Sequence, residues 1–263
     1  MKVVVCIKQV PDTNEVKLDP VTGTLIREGV PSIINPDDKA GLEAALRLKD
    51  QYGAHVTVIS MGPPQADLAL REALAMGADE AILVTDRAFG GADTWATSST
   101  IASAIENLEY DLIITGRQAI DGDTAQVGPQ IAEHLGLANI SYAEDLKVED
   151  GYVIVKRQYE DRYHILKAKM PCLITALSEL NEPRYMSLSG IMDCYSAPVS
   201  VYDYNTLKDD PLIDPTTIGL KGSPTNIFKS FTPPQKGQGK MLEGADKATC
   251  ETLAAELLKK HII

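Results

Sequence analysis

Residues 111–136, DLIITGRQAIDGDTAQVGPQIAEHLG, constrain the fold of this chain more than any other stretch. The run 112–115 is short, apolar and β-branched, which is typical of a buried parallel strand. A polar loop follows, and from Thr124 or Ala125 the apolar residues recur with the spacing of a helix. The apolar stripe of this helix consists of Val127, Ile131 and Leu135. The stretch therefore predicts a strand, a loop and a helix in that order.

This order of elements suits the binding of an anion. The first N–H groups of a helix have no partner within the helix, and they point at a ligand bound in front of it. Gly116 and Gly122 would let the loop backbone approach that ligand closely. We therefore expect the pyrophosphate of a nucleotide here. The loop is neither a Walker loop, because no Lys-Ser/Thr pair follows Gly122, nor a G-x-G-x-x-G fingerprint, and an ordinary connection of an α/β sheet fits the same pattern.

The same alternation of strand and helix precedes this stretch. Apolar runs predict strands at 3–7, 55–60 and 81–84. Helices are predicted from a cap at Asn35 or Asp37, over 66–76, and from 94 to 108. Repeated β-α units predict an α/β fold with a doubly wound parallel sheet, whose ligand crevice follows the carboxyl ends of the strands. The loops expected to line the crevice are 6–13, 60–64, 86–97 and 116–128.

The remaining segments have a different character. Alternating polarity predicts two hairpins, 15–18 with 24–27 and 153–157 with 163–167, and a further core strand is expected at 171–176. Residues 209–244 are rich in Pro and Gly and show no period, whereas 246–261 predict an amphipathic helix. Such a tail is disordered, folds back or docks on another chain, and its apolar helix favours docking. We therefore predict a nucleotide-binding domain at 1–208 and an arm at 209–263.

Charge and cysteine content exclude several classes of protein. The 263 residues carry a formal net charge of −12, which argues against a nucleic-acid-binding protein because little would neutralise a phosphate backbone. Cys6, Cys172, Cys194 and Cys250 lie far apart without a C-x-x-C pair, so we expect reduced thiols and no metal site. Only five apolar residues separate Lys2 from Lys8, and no run approaches a membrane span. We expect a cytoplasmic protein that neither enters nor binds a membrane.

Five segments in order identify a family. They are VVVCIKQVPDT, INPDDKAGLEAALRLK, REALAMGADEAILVTD, IITGRQAIDGDTAQVGPQIAEHLG and NEPRYMSLSGIM. Over essentially its whole length the chain resembles the beta subunit of electron transfer flavoprotein. The family's hairpin signature is present at Val155, Arg157, Glu160, Asp161, Leu166, Pro171, Leu173, Ile174 and Thr175. The chain departs from that signature at Arg162 and His164, in a hairpin that we expect at the surface.

The resemblance implies an adenine-nucleotide α-hydrolase-like domain that pairs with a larger alpha subunit, which carries the electron-transferring FAD. The beta subunit holds either a structural AMP or, in the electron-bifurcating branch, a second FAD that takes a hydride from NADH. Electrons then reach ferredoxin or flavodoxin and, through the alpha subunit, an acyl-CoA dehydrogenase. The AMP branch tends to have Asn-Gln-Thr where this chain has Ala125, Gln126 and Val127. We therefore expect FAD, with AMP as the alternative.

The resemblance also implies the binding residues. The adenosine pocket and its neighbourhood would include Cys6, Ile7, Lys8, Asn35, Ser60, Met61 and Gly62. The phosphate loop would consist of Gly116, Arg117, Gln118, Asp121, Gly122, Asp123, Thr124, Ala125, Gln126 and Val127. Asp93, Thr94 and Thr97 would approach the second flavin, and Tyr185, Leu188 and Ile191 would contact the dehydrogenase. No catalytic residue is expected, because the flavin carries the redox chemistry.

Several of these side chains also have an ordinary structural interpretation. Trp95 is interpreted as a packing residue of its helix, and His134 and His164 as surface residues. Cys6 has no base at a telling position and is interpreted as a wall of the pocket. Lys8 suits either a solvated strand end or a partner of phosphate or NADH.

Two other functional classes could use such a sheet. A hydrolase or ligase of the adenine-nucleotide α-hydrolase type would need a Ser-Gly-Gly-x-Asp-Ser-like loop after the first strand, where this chain has Lys8-Gln9-Val10-Pro11. A nucleotide sensor of the universal stress type would usually end near Ile191, well before residue 263.

Overall fold

The computed structural model describes residues 1–12, 31–225, 237 and 239–263. The predicted hairpin of 15–18 with 24–27 lies outside these residues. The chain divides into two compact units, Met1–Asn226 and Ile227–Ile263. The division lies later than the expected boundary at 208/209, because residues 209–225 pack on the first unit, where Ile213 and Ile218 are buried.

Most of the strands join one sheet. In chain order the strands are β1 (Lys2–Cys6), β2 (Gln9–Pro11), β3 (Ser32–Ile34), β4 (His55–Met61), β5 (Glu80–Val84), β6 (Leu112–Gly116), β7 (Ala138–Glu149), β8 (Tyr152–Gln158), β9 (Tyr163–Lys169), β10 (Cys172–Ala176) and β11 (Val199–Tyr202). The nine-stranded sheet has the order β11-β5-β4-β1-β6-β10-β7-β8-β9. The first seven strands of this order are parallel, whereas β8 and β9 pair antiparallel.

The helices are α1 (Pro36–Tyr52), α2 (Asp67–Met76), α3 (Thr94–Glu106), α4 (Val127–His134), α5 (Leu188–Asp193), α6 (Tyr204–Leu207), α7 (Gly219–Gly222) and α8 (Lys247–Lys259). Helix α8 belongs to the second unit, and the other helices belong to the first. None of the described helices combines the length and the apolar character that crossing a bilayer requires.

Alternating residues of the central strands pack into two separate hydrophobic cores, one on each face of the sheet. Val3 and Val5 of β1 pack on one face of the sheet with α1 and α2, through residues such as Leu46. Val4 lies on the opposite face with α3 and α4, through residues such as Ile131. A strand that is buried on both faces reads as a continuous apolar run, which is the pattern of 3–7 and 112–115. The predicted α/β fold with a mostly parallel, helix-covered sheet is confirmed.

Two predicted helix starts need correction. Asn35 does stand before α1, but its side chain makes no capping hydrogen bond to that helix. Helix α4 begins at Val127 and not at Thr124 or Ala125, because Asp123 and Ala125 have φ values of 49° and 52°. A left-handed residue interrupts a right-handed helix, so the loop runs further than the apolar spacing indicated.

The sequence patterns missed two strands of the nine-stranded sheet and one separate strand pair. Strand β7 is twelve residues long and edge strand β11 has four, yet neither shows a clean alternation of buried and exposed residues. Strands β2 and β3 form a separate two-stranded antiparallel sheet. The predicted hairpin is confirmed as β8 with β9, and the predicted core strand as β10.

Candidate functional site

Two adjacent carboxylates organise the carboxyl ends of the three central strands. Asp38, in the first turn of α1, accepts hydrogen bonds from the backbone N–H of Lys8 at 2.8 Å and of Gly116 at 3.0 Å. Asp37 accepts one from the N–H of Ser178, just after β10, at 3.0 Å. The loops that leave β1, β6 and β10 are therefore tied to one helix N-terminus.

Burial perturbs both acids. It raises the pKa of Asp38 to about 7, although the hydrogen bonds from Asn35, Lys8 and Gly116 favour the ionised form. Burial also raises the pKa of Asp37, and Arg117 opposes that effect from 3.4 Å. Oδ2 of Asp37 and Nε of Arg117 are buried, and neither has a hydrogen-bond partner of good geometry among the described residues. This ion pair at the start of the loop is incompletely satisfied.

Asn35 holds the first half of the predicted phosphate loop. Its Nδ2 donates to the carbonyl of Gln118 at 2.8 Å, and its Oδ1 accepts from the N–H of Ile120 at 3.1 Å. Lys8 donates to Asp121 at 2.7 Å, and only 8% of the Asp121 side chain is exposed. Asn35 and Lys8 therefore both contact the loop directly, which sequence spacing did not reveal.

The second half of the loop faces outward in a strained conformation. Asp123 and Ala125 are left-handed, and Nε2 of Gln118 donates to Asp123 at 2.7 Å. A Cβ on Gly122 would meet no atom within 4 Å, so the space beside this glycine is open. No side chain caps the N-terminus of α4, and the first N–H groups of a helix have no acceptor within the helix. Loop and helix together offer a place for an anion.

Gly116 has a different role from Gly122. A Cβ on Gly116 would lie 2.1 Å from Oδ1 of Asp38 and 2.8 Å from its backbone nitrogen. The glycine is therefore required by the close packing of β6 against the start of α1. Glycine at position 116 is needed for packing within the domain, whereas glycine at position 122 leaves open space at the surface of the loop.

The N-terminus of α3 contacts the predicted phosphate loop. Thr94 is the first residue of α3, and its Oγ1 donates to Oε1 of Gln126 at 2.9 Å. The carboxylate of Asp93, however, caps α3 by accepting from the N–H of Ala96, and it also accepts from the N–H of Thr225. Thr97 lies in the first turn of α3 and is partly buried. Thr94 is the member of this predicted group that reaches the phosphate loop.

The end of β4 lines the side of the crevice opposite the predicted phosphate loop. Ser60 is buried, and its hydroxyl has no hydrogen-bond partner within the described part of the chain. The N–H of Gly62 donates to the carbonyl of Val84, and that of Ile7 donates to Ile59. Met61 ends β4, and Cys6 ends the adjacent β1. Burial raises the pKa of the Cys6 thiol, which suits a wall residue and not a nucleophile.

His134 is not the surface residue that the sequence predicted. Its Nε2 lies 3.2 Å from the hydroxyl of Ser98 and 3.3 Å from that of Ser99, and its ring packs edge-on against Trp95. Burial lowers its pKa. The side chain joins α4 to α3, the two helices whose N-termini border the crevice. His164 is exposed, as predicted.

The predicted partner-binding residues lie apart from this crevice, beside α2. Tyr185 is 98% exposed and Leu188 is 77% exposed. Residues Leu188–Asp193 form α5, which is capped by the side chain of Ser187. Two further exposed apolar residues, Met192 and Tyr195, extend the group.

The comparison with known proteins agrees with this geometry. A family model described as the electron transfer flavoprotein domain matches residues 22–207. The chain belongs to the electron transfer flavoprotein family, as a beta subunit. It is 57% identical to the electron transfer flavoprotein subunit beta of Clostridium acetobutylicum, over 100% of both chains. It is 55% identical to the caffeyl-CoA reductase-Etf complex subunit CarD of Acetobacterium woodii and 54% identical to the acryloyl-CoA reductase electron transfer subunit gamma of Anaerotignum propionicum, again over 100% of both chains in each case.

Sequence reasoning about this beta subunit overlooked Asp37 and Asp38 as parts of the site. Acids in the first turn of a helix usually complement its dipole, and that explanation appeared sufficient. The one available signal was that two consecutive acids follow Asn35 and Pro36, at the edge where open α/β sheets bind ligands.

Proposed function

We propose that this electron transfer flavoprotein beta subunit binds FAD in the crevice between residues 116–127 and the end of β4, and that NADH reduces this FAD. The observation that carries the proposal is the loop Asp-Gly-Asp-Thr-Ala-Gln-Val, which ends at an uncapped helix beside open space at Gly122. Bound FAD would accept the hydride and pass electrons on to two different acceptors. The protein would supply orientation and electrostatics.

The pyrophosphate would occupy the N-terminus of α4. Pro129 has no N–H, so Val127 and Gly128 contribute the donors of that turn. Lys8 and Arg117 bring two positive charges to the crevice, each held by a carboxylate at 2.7 Å and 3.4 Å respectively. These local groups would hold the anionic ligand against the net charge of −12.

The side chains of the loop would orient the rest of the cofactor. Nε2 of Gln118 already donates to Asp123, so this donor would have to exchange partners to reach a phosphate. The amide nitrogen of Gln126 is the other donor, because Oε1 of Gln126 accepts from Thr94. Ser60 has a buried hydroxyl without a partner in the described chain, which suits the adenosine end of the ligand. Cys6, Ile7, Met61 and Gly62 would complete that wall.

Three partners follow from the proposal. The alpha subunit would carry the electron-transferring FAD and would bind the arm that ends in α8, where Leu253 and Leu258 are exposed apolar residues. An acyl-CoA dehydrogenase would contact Tyr185, Leu188 and Ile191, and it would receive electrons through the alpha subunit. Ferredoxin or flavodoxin would accept the other electron. The names of the Acetobacterium and Anaerotignum relatives, which refer to acyl-CoA-type reductases, support this assignment. We place the complex in the cytoplasm.

The alternative is a subunit that holds structural AMP and takes no electrons. Both alternatives use the same phosphate site, so the geometry of the loop does not separate them. The small apolar Ala125 and Val127, in place of Asn and Thr, favour the larger cofactor.

The nucleotide content of the purified alpha–beta heterodimer tests the proposal. Acid release followed by chromatography should yield two FAD per heterodimer and no AMP. One FAD and one AMP per heterodimer would overturn the proposal in favour of the alternative. Colourless protein containing ATP would instead point to a nucleotide-sensing module.

A further inference from the structure

The segment from Arg184 to Ala197 presents apolar side chains to solvent although little apolar packing holds it. Helix α5 within this segment contains no buried residue. A cavity of about 300 Å³ lies behind α5, lined by the last turn of α2 and by residues of 187–197. A six-residue helix in this position has almost no intrinsic stability. Polar contacts must therefore fix its place.

Arg184 fastens the beginning of the segment to α1. Its Nε donates to Oε2 of Glu43 at 2.9 Å, and its Nη2 donates to Oε1 of the same residue at 3.2 Å. Nη2 also donates to Asp50 at 2.7 Å, and the backbone N–H of Arg184 donates to Glu43 at 3.1 Å. Only 5% of the Glu43 side chain is exposed. A two-pronged contact to a buried carboxylate fixes both the position and the direction of the chain.

Arg71 fastens the end of the segment to α2. Its Nη1 donates to the carbonyls of Cys194 and Ala197, both at 2.6 Å. Asp67, one turn earlier on α2, accepts from Nε of Arg71 at 3.1 Å and orients the guanidinium. Cys194 is the residue that ends α5, where a helix leaves carbonyl acceptors unsatisfied, and Ala197 lies in the turn that follows.

The middle of the segment touches α2 directly. A Cβ on Gly190 would lie 2.3 Å from the carbonyl oxygen of Ala75, so α5 reaches this distance only with glycine there. The outward side of the segment carries Leu188, Met192 and Tyr195 at spacings i, i+4 and i+7, preceded by Tyr185. We call these four residues the apolar ridge. Leu188 and Met192 lie one turn apart on α5, and Tyr195 follows just after the end of that helix.

We propose that Arg71 and Arg184 are positioning residues that hold the apolar ridge in its binding conformation before the acyl-CoA dehydrogenase arrives. This inference rests on the proposed function, which assigns Tyr185 and Leu188 of the ridge to that partner. We expect the apolar ridge to bind in an apolar depression on the surface of a dehydrogenase, since two relatives bear the names of acyl-CoA-type reductase complexes. A ridge that is already ordered loses less conformational entropy on binding, so it binds more tightly.

The test uses the intact alpha–beta heterodimer with its flavins. The variants are Arg71→Gln and Arg184→Gln, and Arg47→Gln is the matched control. Arg47 also contacts Glu43, at 3.2 Å, but it lies one turn further along α1 and has no hydrogen bond or ion pair with residues 184–197, all of which the structure describes. Leu188→Ala removes a ridge side chain and leaves both arginines in place. Flavin content and far-ultraviolet circular dichroism establish that each variant is folded.

The first readout is hydrogen exchange of the amides of Gly190, Ile191 and Cys194, which are hydrogen-bonded within the segment. We expect exchange to become about tenfold faster or more in Arg71→Gln and Arg184→Gln, and to stay unchanged in Arg47→Gln and Leu188→Ala. Unchanged exchange in both arginine variants would overturn the assignment of these residues.

The second readout is the concentration of the caffeyl-CoA reductase of Acetobacterium woodii that gives half-maximal electron transfer. We expect this KM to rise about tenfold in Leu188→Ala and in both arginine variants, with kcat and NADH oxidation unchanged. An unchanged KM in Leu188→Ala would contradict the proposed partner surface. A third outcome is that Leu188→Ala raises KM, whereas the arginine variants show faster exchange but an unchanged KM. The ridge would then bind the partner without having to be ordered beforehand, and the inference would be wrong.

Discussion

Asp38 accepts a hydrogen bond of 3.0 Å from the backbone N–H of Gly116, and this contact joins the start of α1 to the start of the predicted phosphate loop. The second oxygen of the same carboxylate accepts from Lys8 at 2.8 Å. One buried acid thus fixes the ends of two adjacent parallel strands. The geometry of the crevice depends on a residue that makes no predicted contact with the ligand.

The Asp38→Asn variant should change how stability depends on pH. Burial raises the pKa of Asp38 in the folded chain to about 7, from about 4 in an unfolded chain. Between these values the folded state binds the extra proton, so the contribution of Asp38 to stability is present below about pH 4 and is lost as pH rises towards 7. The wild type should lose up to about 1.4 kcal/mol per pH unit relative to the variant in this window.

The measurement is urea denaturation of both proteins at several pH values from about 4 to 8. The difference between the two free energies of unfolding isolates Asp38, because Asp37 and the other acids are common to both proteins. A difference that stays constant over the whole range would show that Asp38 titrates normally, and it would contradict the burial argument.

Gly122→Val should remove cofactor binding without unfolding the protein. A Cβ at this position would meet no protein atom within 4 Å, so we expect the branched side chain to leave the fold intact and to obstruct the space in which we propose that the phosphate binds. We expect the melting temperature to change by only about 1–2 °C and FAD affinity to fall at least about tenfold. Fluorescence titration with FAD measures the affinity.

Gly116→Ala is the contrasting variant, because its new Cβ would lie 2.1 Å from Asp38. This variant should lose stability first, with a lower urea midpoint even in the absence of FAD. Normal FAD binding in Gly122→Val would show that the phosphate approaches the loop from elsewhere.

A truncation that removes residues 227–263 should prevent assembly with the alpha subunit. Residues 209–225 must be kept, because Ile213 and Ile218 are part of the core of the first unit. The truncated chain should therefore remain folded, with unchanged circular dichroism in the region of secondary structure. Co-purification with a tagged alpha subunit provides the measurement. If the truncated chain still co-purifies at one copy per alpha subunit, the arm does not carry the association.

The double variant Ala125→Asn with Val127→Thr should shift occupancy from FAD towards AMP. Ala125 has a φ of 52°, a conformation that Asn adopts more readily than Ala, so the first change should not strain the loop. Val127 to Thr preserves the shape of the side chain and adds a hydroxyl at the start of α4. Chromatography of the released nucleotides gives the ratio. An unchanged ratio would mean that other residues choose between the two ligands.

The parallel sheet could be predicted because its strands are buried on both faces. Continuous apolar runs such as 112–115 have few alternative structures when a loop and an amphipathic stripe follow. Strand β7 escaped prediction because its inner half pairs within the sheet and its outer half belongs to an antiparallel hairpin, so its pattern changes midway. Residues 209–225 were predicted to belong to the arm because of their Pro-rich composition. That composition gives no sign that Ile213 and Ile218 pack on the domain.

The presence of a loop between β6 and α4 could be predicted, but not the contacts that hold it. Asn35 is 83 residues from Gln118 and 85 from Ile120, and no local pattern indicates contacts at such separations. The extent of the loop was also missed, since the backbone conformation of Ala125 has no signature in a residue that favours helices. Local sequence patterns therefore predict neither these long-range hydrogen bonds nor the left-handed backbone conformations.

Anaerobic titration of the purified heterodimer with NADH tests the central claim most directly. If the beta subunit holds an FAD that takes a hydride from NADH, stoichiometric NADH should bleach the flavin absorbance of wild-type protein. The Gly122→Val heterodimer, which should retain only the alpha-subunit FAD, should show no such bleaching. A wild-type heterodimer whose flavin absorbance is unaffected by excess NADH would contradict the account.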